Sequence, residues 1–311
     1  MRLILLSIFF FGSSIIGFAQ TAGEMLIQGN NKLDSYDYTG AIKDFNRAIK
    51  LNSQLFEAYR GRALAKYLLG EIAEASTDIE KAMVLNDDNA QNLYVKGLIE
   101  SSKKKYKEAI DDFEKALNID KKHMEAMSGK VLALFFSGKE GEAMRLVESQ
   151  IEENTNIACL YYTRGQLFDL KQKPEKALED FNKCLELDPK YNTFNLYLSR
   201  GGVYRILEEY AKADEDLNKA ITLAPNNPAG YNIRGSLLYA QGNFAAAITD
   251  FNKVQELTPD NPSTLYNLGM AHHKLGENTK ACEKFRKACS MNYTNACKMI
   301  ILNCQNRKPA Q

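Results

Sequence analysis

The chain has 311 residues, 40 Lys plus Arg against 39 Asp plus Glu, 45% hydrophobic side chains and no tryptophan. That is globular composition, and a formal charge of +1 without long one-signed blocks gives no field that would gather a nucleic acid or an anionic membrane surface. At this length a single core is near its size limit, so the chain either splits into two domains or grows along one axis as a repeat array.

Residues 1–19 read MRLILLSIFFFGSSIIGFA, with Arg2, an apolar stretch from Leu3, and Gly17 and Ala19 flanking Phe18. This is the order of a secretory signal peptide, with cleavage leaving Gln20 as the new amino terminus. The alternative is a retained anchor helix, because Leu3 to Ala19 falls slightly short of the ~20 residues that span a bilayer. No Cys follows the small residues, which disfavours a lipid anchor, and no later stretch is apolar enough to cross a membrane. The expectation is export to the periplasm or the exterior, without membrane insertion of the mature chain.

From residue 22 onward a period governs the chain. Alanine stands at 41, 75, 109, 143, 177, 213, 247 and 281, a step of 34 everywhere except for one of 36. Twelve residues before each alanine comes a small residue (Gly29, Ala63, Gly97, Gly165, Gly201, Gly235, Gly269), except for Val131. Four after it comes a large apolar one: Phe45, Ile79, Phe113, Val147, Phe181, Leu217, Phe251, Phe285. Each unit reads as two helices joined by a tight turn, marked by Gly70, Gly138, Gly242 or Gly276, and Pro189, Pro225 and Pro259 end three of the second helices.

In these columns the chain resembles the tetratricopeptide repeat proteins, and with its leader it resembles their exported bacterial type. The resemblance implies an all-α fold, a right-handed superhelical solenoid of eight antiparallel helix pairs. Units one to five occupy 22–191 and units six to eight 194–295, followed by a capping helix at 296–305 and a disordered tail at 306–311. The fourth unit departs from the columns with Val131, Val147 and Gln150, and the extra pair Asn192 and Thr193 marks a change of twist or a hinge. Arg62 with Asp78, Lys96 with Asp112, Arg164 with Asp180, Arg200 with Asp216, and Arg234 with Asp250 mirror about the turn of their unit, as structural ion pairs would.

Six cysteines in an exported chain invite disulfides. Cys282 and Cys289 are seven apart, two helical turns, and Cys297 and Cys304 repeat that spacing. Folding the two helices about Tyr293 brings Cys289 to Cys297 and Cys282 to Cys304; crossed pairing would exceed disulfide reach. The same mirror rule places Cys159 near Cys184, either bonded or simply buried. A four-cysteine zinc site is disfavoured, since close ligand pairs are missing. Met299, Ile300, Ile301 and Leu302 on the last helix are expected to cover the exposed end of the core.

Catalytic and cofactor motifs are lacking: there is no phosphate loop, zinc-protease motif, CxxC or nucleophile elbow, and the three histidines, His123, His272 and His273, are too few and too scattered for shared metal chemistry. Lys103, Lys104, Lys105 and Lys107 form one basic cluster at a solvated turn. What remains is the stripe that lines the concave face in the resembled family, where protein segments lie. There the candidate partner-binding residues are Arg60, Tyr67, Tyr94, Phe135, Tyr162, Arg205, Asn232, Tyr239, Tyr266 and His273. The leading expectation is a non-catalytic scaffold that takes a protein or peptide segment; the alternative is a binder of envelope glycan that stacks sugars on the same tyrosines.

Overall fold

A computed structural model describes residues 21–304. The expected signal peptide at 1–19 and the tail at 306–311 lie outside the described residues. Within them the chain is all helical. The helices pair as α1 (Ala22–Asp34) with α2 (Tyr38–Leu51), α3 (Phe56–Leu69) with α4 (Ile72–Leu85), α5 (Ala90–Ser102) with α6 (Tyr106–Ile119), and α7 (Met124–Phe136) with α8 (Glu140–Glu153). They continue as α9 (Ala158–Leu170) with α10 (Pro174–Leu187), α11 (Thr193–Ile206) with α12 (Tyr210–Leu223), α13 (Pro228–Ala240) with α14 (Phe244–Leu257), and α15 (Pro262–Lys274) with α16 (Asn278–Ser290), before α17 (Thr294–Asn303). Each pair packs on the next, giving the expected solenoid of eight helix pairs and a capping helix.

The turn between paired helices needs one left-handed residue, because the chain must reverse within three residues or so. Gly70, Gly138, Gly242 and Gly276 supply it at φ 78 to 88°. In the other units Tyr36, Lys104, Gln172 and Glu208 occupy the same place at φ 55 to 62°, where a side chain is strained by about 1–2 kcal/mol.

The small and large columns interlock. A Cβ at Gly29 would lie 2.5 Å from the Phe45 ring, and one at Gly61 in the next unit also 2.5 Å from it. Phe45 thus fills a space bounded by two backbones, and Phe113 does the same between Gly97 and Gly129. Five phenylalanines, Phe45, Phe113, Phe181, Phe251 and Phe285, are the largest fully buried side chains among the described residues. Around them the ion-pair column is internal. Arg164, Arg200 and Arg234 each donate through Nε and Nη2 to both oxygens of Asp180, Asp216 and Asp250, at 2.6 to 2.9 Å. Arg200 also reaches back to Asn182 at 2.8 Å, and Arg234 to Asn218 at 2.5 Å, which ties each unit to the one before.

The fourth unit departs as its residues foretell: α7 and α8 pack less closely than the other seven pairs, and α7 leans onto α9 instead. The extra pair forms the start of α11, Asn192 as its N-cap and Thr193 as its first residue. Asn192 takes φ 44° and accepts from the Asn195 side chain at 2.7 Å, while Tyr191 packs against the cores of both units four and five.

At the far end α17 begins two residues earlier than expected. Its Ala296 is buried and Met299 and Ile300 pack against Leu265 and Phe285, but Ile301 and Leu302 remain 63% and 74% exposed. The helical period carries those two away from the core, so half of the expected covering residues face outward. Cys282 is joined to Cys304 and Cys289 to Cys297, with Cα atoms 5.8 and 4.9 Å apart.

Cys159 and Cys184, by contrast, are separate buried thiols. Cys159 sits with Val131, Val147 and Leu160, and Cys184 with Phe181, Leu196 and Val203. The two side chains leave their helix pair toward different neighbours, so no bond forms, and burial pushes the thiols up to about 11 and about 12.

One contact spans far more of the sequence than the repeat requires. The Tyr36 ring lies 4.9 Å from that of Phe194 and packs with Ala220, Ala224 and Ala229. Beside it Tyr38 is hydrogen-bonded to Asn227, and burial pushes its phenol up to about 12. The superhelix therefore returns on itself, with the turn of unit one resting on units six and seven.

Candidate functional site

Because the solenoid winds so tightly, residues from α3, α5, α7, α9 and α11 line one concave cleft of about 350 Å³. Tyr67, Tyr94, Tyr162 and Tyr191 stand around it, with Gln166, Asn192 and Asn195 adding amide groups and Leu64, Leu98 and Leu132 an apolar floor. Tyr94 packs on Phe113 and on the His123 ring, with centroids 6.2 and 5.2 Å away; Tyr162 packs on Phe181 at 5.8 Å and edge-on against Tyr191 at 6.1 Å. The rings of Tyr94 and Tyr162 are thus propped by aromatic neighbours.

Burial pushes the Tyr162 phenol up to about 12 and those of Tyr67, Tyr94 and Tyr191 upward too. All four remain neutral hydrogen-bond donors at ordinary pH. Glu125, at the start of α7, reinforces this for Tyr94 and Tyr191 through its negative charge. Below it His123 bonds Gln91 through Nε2 at 2.8 Å, while its Nδ1 lies 3.3 Å from the Ala126 amide and 3.2 Å from the Glu125 carboxylate. That nitrogen caps α7 in one tautomer and donates to Glu125 when it carries the proton. The His123 hydrogen bond draws Glu125 below the usual carboxylate range.

A second cleft of about 300 Å³ lies farther along, lined by Arg205, Ser236, Tyr239, Tyr266, Asn267 and Met270. Tyr239 packs edge-on against Phe244 at 5.2 Å, and Tyr266 leans on Phe285 and Tyr293 at 5.9 and 5.4 Å. The Nε of Arg205 is buried without a hydrogen-bond partner. Asp169 feels its charge: burial raises that carboxyl and Arg205 pulls it back down.

Of the ten concave residues picked from the sequence, these clefts bring together Tyr67, Tyr94 and Tyr162 in one, and Arg205, Tyr239 and Tyr266 in the other. The other four stand apart. Arg60 is turned toward Phe56 and Asn89, and burial lowers its guanidinium from its ordinary value. Phe135 packs into the core of unit four, leaving its neighbour Phe136 50% exposed. Asn232 lines a separate, smaller cleft with Asn261 and Thr264. His273 bonds Asn278 in its own turn at 3.1 Å, just as the buried His272 bonds Glu277.

Glu125 and Tyr191 escaped the sequence reading, which weighed His123 only as one of three histidines. Glu125 stands 34 residues after Gln91, so the regular stripe could have found it; Tyr191 directly precedes the inserted pair, where the break in the period points. Among the described residues no group of three His, Cys, Asp or Glu could hold a metal ion, and no helix is long and apolar enough to cross a membrane.

Helix pairs at a fixed period, a core of paired small and large columns and an aromatic concave face define a helical repeat solenoid. Family models described as tetratricopeptide repeat match residues 28–84, 90–123, 158–191, 194–227 and 262–295, and one described as TPR repeat matches 235–276. The chain belongs to the tetratricopeptide repeat family. Residues 124–157, the divergent unit, lie between two of these matches.

Among curated proteins, human tetratricopeptide repeat protein 16 is 25% identical over 176 residues, 54% of this chain and 20% of that protein. Hsp70-Hsp90 organizing protein 3 of Arabidopsis thaliana is 30% identical over 161 residues, 49% of this chain and 29% of its own length. The chain therefore spans less than a third of either relative. In the solved APC/C hetero-tetramer Cut9-Hcn1 a chain aligns over 94% of this one and 58% of itself, with TM-score 0.66 and 14% identity. A tetratricopeptide repeat protein from Parabacteroides merdae aligns over 81% of this chain and 99% of its own, with TM-score 0.53 and 18% identity. These likenesses carry the fold.

Proposed function

We propose that the chain is a non-catalytic, exported scaffold that binds an extended protein or peptide segment along its concave face. The observation that carries this reading is the convergence of four tyrosines, Tyr67, Tyr94, Tyr162 and Tyr191, on one cleft. Aromatic side chains supply large contact area at low entropic cost, and here their hydroxyls keep hydrogen-bonding capacity in an otherwise apolar groove. Relatives named as an Hsp70-Hsp90 organizing protein and as a subunit of the anaphase-promoting complex accord with a scaffold role. Export is supported by the leader at 1–19 and the cysteine pairs at the carboxy-terminal end. Envelope glycan is the second reading, favoured by the amides of Gln166, Asn192 and Asn195 beside the rings.

The test compares the chain from Gln20, expressed in its own exported compartment, with a Tyr67→Ala, Tyr239→Ala variant carrying one change in each cleft. After light crosslinking and mass spectrometry, a defined protein captured by the parent and lost from the equally folded variant supports the scaffold. Equal capture by both overturns the concave site, and capture of glycan with no protein favours the second reading.

A further inference from the structure

The repeat is broken twice, by the divergent fourth unit and by the inserted pair after Tyr191, and both breaks face the same cleft. Unit four contributes Glu125, Ser128 and Leu132; the insertion contributes Asn192, with Tyr191 directly before it. The two segments, some two repeats apart in the sequence, meet there. Unlike the column aspartates, each matched by a Lys or Arg, Glu125 pairs with no Lys or Arg among the described residues; its neighbour is His123. It is also the single charged side chain lining the cleft. Its carboxylate is half exposed to the lumen, and its field reaches Tyr94, Tyr191 and Cys159.

We propose that this cleft is the subsite for a lysine or arginine side chain of the bound segment, with Glu125 as its counter-charge and the tyrosines as its walls. A cation entering between aromatic faces is attracted by their negative quadrupoles, and a carboxylate at the end of the cleft adds a charge-assisted hydrogen bond. The neutral phenols and the amides of Gln166 and Asn195 offer acceptors to the remaining N–H groups without a competing positive charge. An acidic side chain in the same place would meet Glu125 with like charge and no cation to offset it, so the cleft discriminates by sign as well as by shape. The inference rests on the segment-binding reading above and narrows it to a basic residue.

The probe is a phage-displayed random decapeptide library panned in parallel on the chain from Gln20 and on its Glu125→Gln and Glu125→Lys variants, each shown by circular dichroism to keep the parent melting temperature. The parent is expected to enrich peptides with a Lys or Arg at one aligned position. Glu125→Gln should bind those peptides about tenfold to a hundredfold more weakly, and Glu125→Lys should enrich Asp or Glu at that position. Peptides enriched on the parent without a basic residue, or bound equally by Glu125→Gln, overturn this inference while leaving the scaffold reading intact. A parent that enriches no peptide at all overturns both.

Discussion

Gly235 and Phe251 divide one volume between them: a Cβ at Gly235 would come within 2.7 Å of the Phe251 ring. In two units the second partner is smaller and the first larger, Ala63 with Ile79 and Val131 with Val147, all fully or almost fully buried, while Gly201 keeps glycine opposite Leu217. The column is therefore specified as pairs, and single changes at it should be costly even when they favour helix. Gly235→Ala gains up to about 1 kcal/mol in helix propensity but overpacks the pair, for a net loss of about 1–3 kcal/mol. Adding Phe251→Ile recreates the pairing of the second unit, and the double variant should be less destabilised than the two single changes combined. Urea unfolding followed by circular dichroism on all four proteins reads this coupling; strictly additive midpoint shifts would show that the two positions do not share space. The same logic explains why the Glu125 cleft contains few column residues: a column side chain is committed to its partner and cannot be spared for a ligand.

At the scale of elements, α17 is a short helix held mainly by Ala296, Met299 and Ile300 and by two sulfur bridges to α16. Ten residues with one fully buried side chain are too few to dock stably alone, so the bridges govern whether the end of the core is covered. Unfolded without reductant, the protein should expose two titratable thiols, Cys159 and Cys184, and all six after reduction. Replacing Cys282 and Cys304 together by Ser should cost about 3 kcal/mol, with amide exchange accelerated in α16 and α17 and unchanged around Phe113; uniform acceleration along the chain would refute a local role. Where the sequence spoke clearly and where it did not follows from the same geometry. The helix pairs were legible because each column recurs in unit after unit. Mirror arithmetic, however, fixes only height along a helix pair, never the face, which is why it left Cys159 and Cys184, free buried thiols in the structure, open between a bond and simple burial. It was equally silent on Ile301 and Leu302. Half of the candidate site was visible as the concave stripe. Glu125 lies on that stripe too, 34 residues after Gln91, but a column fixes a position and not which of its side chains meets a cleft, and Tyr191 stands beside the insertion that breaks the period.

The whole molecule closes on itself through a residue that breaks a local rule. Tyr36 holds the left-handed position that glycine holds in four other units, at φ 62°, and its ring rests 4.9 Å from Phe194. The turn strain is about 1–2 kcal/mol, and an aromatic pair contributes about 0.5–1.5 kcal/mol beyond its buried area. The contact that Tyr36 makes across the superhelix offsets strain of the same size, which Lys104, Gln172 and Glu208 carry at the equivalent turns as well. No repeat column encodes that contact, since it joins units that are neighbours only after a full winding. Between its two ends lie the units that line the Glu125 cleft, so the latch sets how tightly that cleft is curved. Tyr36→Gly relieves the turn while deleting the ring, and Tyr36→Phe keeps the ring and the strain. Small-angle scattering should show a larger radius of gyration for the glycine variant at undiminished helix content, with the phenylalanine variant matching the parent. If the glycine variant keeps the parent dimensions, the curvature belongs to the stacked units themselves, and Tyr36 merely rests on a superhelix that would close without it.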